Sequence, residues 1–166
     1  MSSIAVNLYH DVYQNNTSWL CHDLTDDQAM MLAVDVEKNL KLEVLAIILI
    51  SELENGLSVI GGASILKMIE THTNIKTLKL DGNYRMGDTI ASIIAEVLKI
   101  NTTLTSLSLK NCGLTDMGAT IIAGGLKHNS VLNKLVINDN NITLQGWIQI
   151  RSAAVQRSIS LNMPNR

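Results

Sequence analysis

The sequence predicts an α/β fold: short strand–helix units stacked as a right-handed solenoid, with parallel strands on one face and helices on the other. Three observations carry this expectation. A pattern of apolar side chains closed by Asn or Cys returns at steps of 29 residues (Leu78 to Leu107) and 28 residues (Leu107 to Leu135). Between these patterns, apolar residues recur four apart, which marks a single helical stripe. Finally, Phe is absent and only Tyr9, Tyr13, Trp19, Tyr84 and Trp147 are aromatic, so aliphatic side chains must fill the core, as suits thin layers. At 46% hydrophobic over 166 residues the chain can bury such a core, which excludes disorder and collagen-like repeats.

The strand pattern reads Ile75-Lys-Thr-Leu78-Lys-Leu80-Asp-Gly-Asn83, then Leu104-Thr-Ser-Leu107-Ser-Leu109-Lys-Asn-Cys112, then Leu132-Asn-Lys-Leu135-Val-Ile137-Asn-Asp-Asn140. The residue at the ninth position is expected to turn inward and satisfy backbone groups where the chain leaves the strand, which gives Cys112 a structural role. Residues 86–101 and 114–129 lie over each other as the helices between strands, with Thr115 or Asp116 as a start cap and Asn129 at the end. A strand this short with one apolar face is not stable alone, so the units must stack.

Upstream, Leu42-Glu-Val-Leu45-Ala-Ile47-Ile-Leu-Ile50 fits the template with Ile50 in the Asn position. Residues 62–69 supply its helix, and a loop of extra residues falls around Glu52 to Leu57. Before it, residues 23–41 carry a cap signal at Thr25/Asp26 and apolar positions Met30, Met31, Val34 and Leu40, which predicts a helix. Residues 1–22 are a strand or an arm. Downstream, Arg157-Ser-Ile159-Ser-Leu161-Asn162 reads as a last strand reached by a shorter connection. The expected organisation is therefore an amino-terminal arm and capping helix over 1–41, and about four units plus a terminal strand over 42–166.

The run Asn111-Cys112-Gly113-Leu114-Thr115-Asp116-Met117-Gly118-Ala119, set in its long unit, resembles the ribonuclease-inhibitor class of leucine-rich repeats. The match covers residues 75 to about 157. This resemblance implies a non-enzymatic module that contacts a partner protein through its concave strand face and following loops. Ile (19), Asn (16) and Lys (9) are abundant while Arg (4) and Pro (1) are scarce. A solitary array with that bias is similar to the leucine-rich effectors that intracellular bacteria deliver into host cells, which implies an adaptor or inhibitor of a host or bacterial protein.

Charge and cysteine content narrow the classes further. Thirteen basic against fifteen acidic residues lack the excess that phosphate contacts need, so nucleic acid is not expected as a partner. Residues 1–41 hold two Lys against six acids, and the remainder eleven basic groups against nine acids. The longest apolar run, Val44 to Ile50, is far short of the roughly 20 residues of a membrane span, and the start lacks a secretory signal, so an intracellular, cytoplasmic protein is expected, with delivery into a host cell open. Cys21 and Cys112 form neither a zinc spacing nor a disulfide framework.

Two constellations compete for chemistry. Cys21-His22-Asp23 has the residue types of a thiol triad, yet sequence neighbours cannot face one another as nucleophile, base and orienter. Asp23, Asp26 and Asp27 ahead of a helix resemble the calcium-holding Asp-x-Asp-Pro-Gly-x-Asp-Asp run of nucleoside hydrolases. Here the first gap is one residue short, the Pro-Gly turn is missing and the chain is far too short for that fold. The acids are explained as partners of the helix dipole, and a metal-dependent hydrolase fragment is the lesser alternative. His72 and His128 are read as matching groups at helix ends. No cofactor, metal or catalytic group is expected.

The remaining candidate is the concave face, to which positions 3, 5, 7 and 8 of the strand template point. Those positions are Thr77, Lys79, Asp81 and Gly82; Ser106, Ser108, Lys110 and Asn111; and Lys134, Val136, Asn138 and Asp139. They read as a ladder of short polar groups with one lysine per unit. Their equivalents in the preceding unit, Val44, Ala46, Ile48 and Leu49, are apolar, so the amino-terminal arm is expected to cover them, the alternative being an exposed apolar patch.

Overall fold

The structure is a computed structural model that describes residues 13–14, 17–48 and 56–162. Its elements follow one another as β1 (Tyr13–Gln14), β2 (Ser18–His22), α1 (Asp26–Glu37), β3 (Val44–Ile48), α2 (Val59–Thr71), β4 (Thr77–Lys79), a 3-10 turn (Tyr84–Met86), α3 (Thr89–Ile100), β5 (Ser106–Ser108), α4 (Asp116–Leu126), β6 (Lys134–Val136), α5 (Leu144–Arg157) and β7 (Ser160–Asn162). The strands lie side by side in chain order; β1 is antiparallel to β2, and β2 through β7 are parallel. Leu45, Leu78, Leu107 and Leu135 share one register row. They form, with Ile47, Leu80, Leu109 and Ile137, a core from which water is excluded, each being at most 1% exposed. The sequence-predicted Ile50, Leu49, the loop 52–55 and residues 1–12 lie outside the described residues.

Sheet and helix layer both run across residues 41–42, the expected boundary between arm and repeats. β2 pairs with β3 over its whole length, and Trp19 and Cys21 enter the core beside Leu45 and Ile47. The following segment, Leu24-Thr25-Asp26 then Ala29, Leu32, Ala33 and Val36, carries the same spacing as Leu114-Thr115-Asp116 then Ala119, Ile122, Ala123 and Leu126, and all these apolar residues are buried. Among the described residues the strand–helix order is thus already present from Ser18. The apolar face expected for α1 is corrected: Met30, Met31, Val34 and Leu40 are exposed. Met30 occupies the outward row that holds Ser92 in α3 and Thr120 in α4, and small Ala29 and Ala33 take the inward places.

Caps start the helices as their sequences dictate. Thr25, Ser58, Thr115 and Thr143 each accept a backbone N–H from the first turn, and Thr25 and Gln28 form a reciprocal capping box. Helix ends are tied by a second repeated device. Asn101 accepts from the N–H groups of Thr103 (2.9 Å) and Leu104 (2.7 Å) and donates to Ile69 O (2.7 Å) in the preceding unit. Asn129 does the same with Val131, Leu132 and Leu98 O. His72 stands in this position in α2, its Nδ1 accepting from Asn74 and Ile75. Its counterparts are Asn101 and Asn129, so its expected pairing with His128 is one residue out of register.

At the ends of the strands, the ninth-position side chains bridge units. Asn83 Nδ2 donates to Ile47 O at 3.0 Å, the Cys112 thiol to Leu80 O at 3.1 Å and Asn140 Nδ2 to Leu109 O at 2.8 Å. These are the backbone carbonyls that a strand-to-loop exit would otherwise leave without a donor.

A third link joins successive helix starts. Asp26 accepts from Ser58 N, Ser58 Oγ and Gly61 N; Asp88 accepts from Thr115 N, Thr115 Oγ1 and Gly118 N; Asp116 accepts from Thr143 N and Thr143 Oγ1. Glycine is needed three residues after each hydroxyl because a Cβ at Gly61 or Gly146 would lie 2.5 Å from the Asp26 or Asp116 carboxylate oxygen. One joint lacks the clamp: between α2 and α3 the corresponding residues are Val59, Gly87 and Ile90.

Candidate functional site

The open face of the sheet, opposite the helices, is built by two register rows. One runs Ser18, Val44, Thr77, Ser106, Lys134, Ser160; the other runs Leu20, Ala46, Lys79, Ser108, Val136, Asn162. Alternation along each strand puts these side chains away from the core. Lys79 and Lys134 are exposed, Thr77, Ser106 and Val136 are half-buried, and Ser108 is only 6% exposed.

The three lysines do not form a column. Lys134 stands in the first row and Lys79 in the second, two strands away, while Lys110 lies beyond the end of β5. Their engagements differ too. Lys110 Nζ is 3.1 Å from Asp139 Oδ2, and this hydrogen bond, followed by one from Asn138, holds the Asp139 carboxyl below its usual range. Asp81 accepts from Ser108 Oγ at 2.5 Å and from the Lys110 N–H at 3.1 Å. Both carboxylates of the predicted ladder are therefore bonded within the sheet. The side-chain ammonium groups of Lys79 and Lys134 have no hydrogen-bond or ion-pair partner among the described residues.

Position 8 has a conformational explanation. Gly82 (φ 83), Asn111 (φ 51) and Asp139 (φ 58) all adopt the left-handed region, as does Asp23 (φ 51) after β2. Gly, Asn and Asp tolerate that conformation best. Asp23 thus takes a turn position while Asp26 is spent on Ser58 and Gly61, so two of the three acids of the calcium-like run serve the backbone. Among the described residues no three His, Cys, Asp or Glu side chains come together as a metal site.

Toward β2 the face changes character. Leu20, Val44 and Ile48 are half-buried and Ala46 is 5% exposed, giving an apolar half beside the polar one. Cys21 points the other way, and burial pushes its thiol up to about 12. Burial likewise raises the Cys112 thiol. Burial disfavours both thiolates, and Cys21, 0% exposed, faces the core rather than a surface that a substrate reaches. Shallow grooves also run between neighbouring helices, one lined by Val34, Glu37, Ala63 and Lys67, another by Ser92, Glu96, Gly124 and His128. Gly125 lets α4 approach α3 there, since a Cβ would stand 2.7 Å from Ala95 Cα.

No helix among the described residues is long and apolar enough to cross a membrane. No family model matches the sequence, and no curated protein matches it. Among solved structures, the chain is similar to leiomodin-1 actin-binding site 2, with 26% sequence identity and a TM-score of 0.54 over 60% of this chain and 59% of that one. The chain thus spans about three fifths of that neighbour's length. Six parallel strands and five helices, together with this likeness, are consistent with a leucine-rich-repeat fold and with a protein-binding module.

Proposed function

We propose that the chain is a ribonuclease-inhibitor-type leucine-rich-repeat solenoid that binds one partner protein through the concave side of its sheet and inhibits a partner enzyme by covering its active site. The observation that carries this reading is the open strand face, on which Lys79, Lys134, Thr77 and Ser106 present polar groups directed away from the core and no helix packs among the described residues. Asn138 and Val136 extend the same surface on β6 and beyond it. The backbone beneath is held by three sets of inter-unit hydrogen bonds, so little order remains to be imposed on binding. Likeness to a site named for binding actin supports a protein as the class of partner.

The test uses the immobilised full chain to capture a partner, which is then titrated against variants. Ser106→Arg, in the middle of the face, should weaken the complex at least ~10-fold. Thr120→Arg, on the outer side of α4, should not. The partner's own activity is measured alongside: loss at saturation supports inhibition, whereas full activity in a saturated complex makes the chain an adaptor. Equal binding by Ser106→Arg would move the interface off this face.

A further inference from the structure

We propose that the partner segment received by the open face is bipartite: apolar where it crosses β2 and β3, acidic where it crosses β4 to β6. This rests on the protein-binding reading above and adds the chemistry and orientation of what is bound. Crossing from β2 to β6 spans four strand spacings, about 19 Å at ~4.8 Å each.

The two halves are set by what the side chains are already doing. Over β4 to β6, Asp139 is ion-paired with Lys110 and Asp81 accepts from Ser108 Oγ and the Lys110 N–H, so Lys79, Lys110 and Lys134 outnumber the two carboxylates by one charge. Lys79 and Lys134 are exposed and unmatched among the described residues. On a chain whose formal net charge is −2 this is a local positive surplus, with Ser106 on the strand between the two lysines and Thr77 beside it in the same row. Carboxylates are the complement of such a group, and unpaired charges steer association more than paired ones.

Over β2 and β3, Leu20 and Val44 offer half-buried aliphatic surface in the two register rows, which hold Ser18 but no charged side chain there, and Ile48 extends it in the row that it shares with His22. An apolar strip adjoining a polar, charged one is the anatomy of a protein interface. A nucleic-acid strand would match the lysines but leave the aliphatic half uncovered. Val136 gives one apolar contact within the cationic half, beside Lys134.

The experiment is a fluorescence-anisotropy titration of the full chain with three labelled peptides of equal length. One joins a leucine/isoleucine half to a glutamate half, one is acidic throughout, and one joins the same apolar half to lysines. The bipartite peptide should bind at least ~10-fold tighter than either of the others, a gap of about 1.4 kcal/mol. Lys79→Glu with Lys134→Glu should weaken it at least ~10-fold, while Lys127→Glu, at the end of α4, should change it less than ~2-fold. As a readout independent of any variant, the peptide should shift the methyl resonances of Leu20, Val44 and Ile48.

Equal affinity for the all-acidic or the lysine-bearing peptide, no binding at about 1 mM peptide, unmoved methyl signals, or tighter binding of a single-stranded oligonucleotide would each overturn the proposal. If Ser106→Arg abolishes capture of the partner protein while the peptides show no preference, only the bipartite chemistry falls. If Ser106→Arg leaves capture intact, the face itself is wrong and both readings fall.

Discussion

The carboxylate of Asp88 fills the space in which a side chain on Gly118 would stand, and it accepts that glycine's N–H at 3.1 Å. Asp88 belongs to one unit and Gly118 to the next, so the absence of a side chain on one repeat is what lets the charge of its predecessor reach the backbone. Three of the four joints between helices have this arrangement, and the residues involved lie about 30 apart in sequence.

Gly118→Ala should therefore destabilise the fold by about 1–3 kcal/mol, because a methyl has no room beside Asp88 Oδ1 and Leu114. In an Asp88→Ala background the same substitution should cost less by about 1 kcal/mol. Chemical denaturation of the four proteins of this double-mutant cycle measures the coupling; strict additivity would show that Asp88 is not what a side chain at position 118 meets.

Leu107 is 1% exposed in the middle of the leucine row. Truncation to alanine removes buried methyl groups and leaves a cavity, and should cost about 2–5 kcal/mol. Leu107→Asp should prevent cooperative unfolding altogether. A variant with an unchanged thermal midpoint would mean that the register of the rows is wrong.

The joint between α2 and α3 has Val59, Gly87 and Ile90 where the others have Asp, Ser or Thr, and Gly. Without the carboxylate clamp, this is where the helix layer should open first. Native-state hydrogen exchange should give the amides of α3, α4 and α5 one shared opening free energy and those of α1 and α2 a lower one. A single value for all five helices would contradict this.

Acid should loosen the array from its carboxylate bonds. The Asp116 carboxyl is held below its usual range chiefly by the hydrogen bond from Thr143, and that of Asp139 chiefly by the one from Lys110. A carboxyl with a lowered folded-state pKa contributes stability that is complete above its unfolded value, about 4, and that is lost as pH falls through the folded value. Urea midpoints should stay level from about pH 7 to 5 on this account and decline below about 4. Asp116→Asn should make that decline shallower; an identical slope in the variant would remove Asp116 from the explanation.

Both thiols should be unreactive in the native state, since Cys21 and Cys112 are fully buried and protonated. Labelling with a thiol reagent should track global unfolding, with rapid labelling of folded protein as the contrary result.

The strand rows were legible because a leucine period of 28–29 residues places large apolar groups in a fixed alternation, and the Asn and Cys that close each strand mark where it ends. Two features escaped. In α1 the buried places are shared by Leu32 and Val36 with Ala29 and Ala33, whose small side chains give little hydropathic contrast, while the conspicuous Met30, Met31 and Val34 face outward. The signal present but unused was the recurrence of Leu-Thr-Asp followed by Ala at fixed spacing in Leu24–Ala29 and Leu114–Ala119. On the open face, residue type showed which side chains are charged, but it could not show that Asp139 lies against Lys110 or that Asp81 is occupied by Ser108. Those pairings are between units, and only register reveals them.

At the last helix the inter-unit chemistry changes. Leu144 replaces the clamp aspartate, Trp147 and Arg151 stand where α4 has Ala119 and Ala123, and Arg157 reaches back to Lys127 O in place of an asparagine. Growth of this architecture by duplication is therefore directional. A copied Leu104–Val131 inserted ahead of Leu132 would meet on both sides the partners it already has, because Asp116 can clamp a second Thr115 as well as it clamps Thr143. The same cassette appended after α5 would find a bulky indole and a guanidinium where its helix needs two methyl groups.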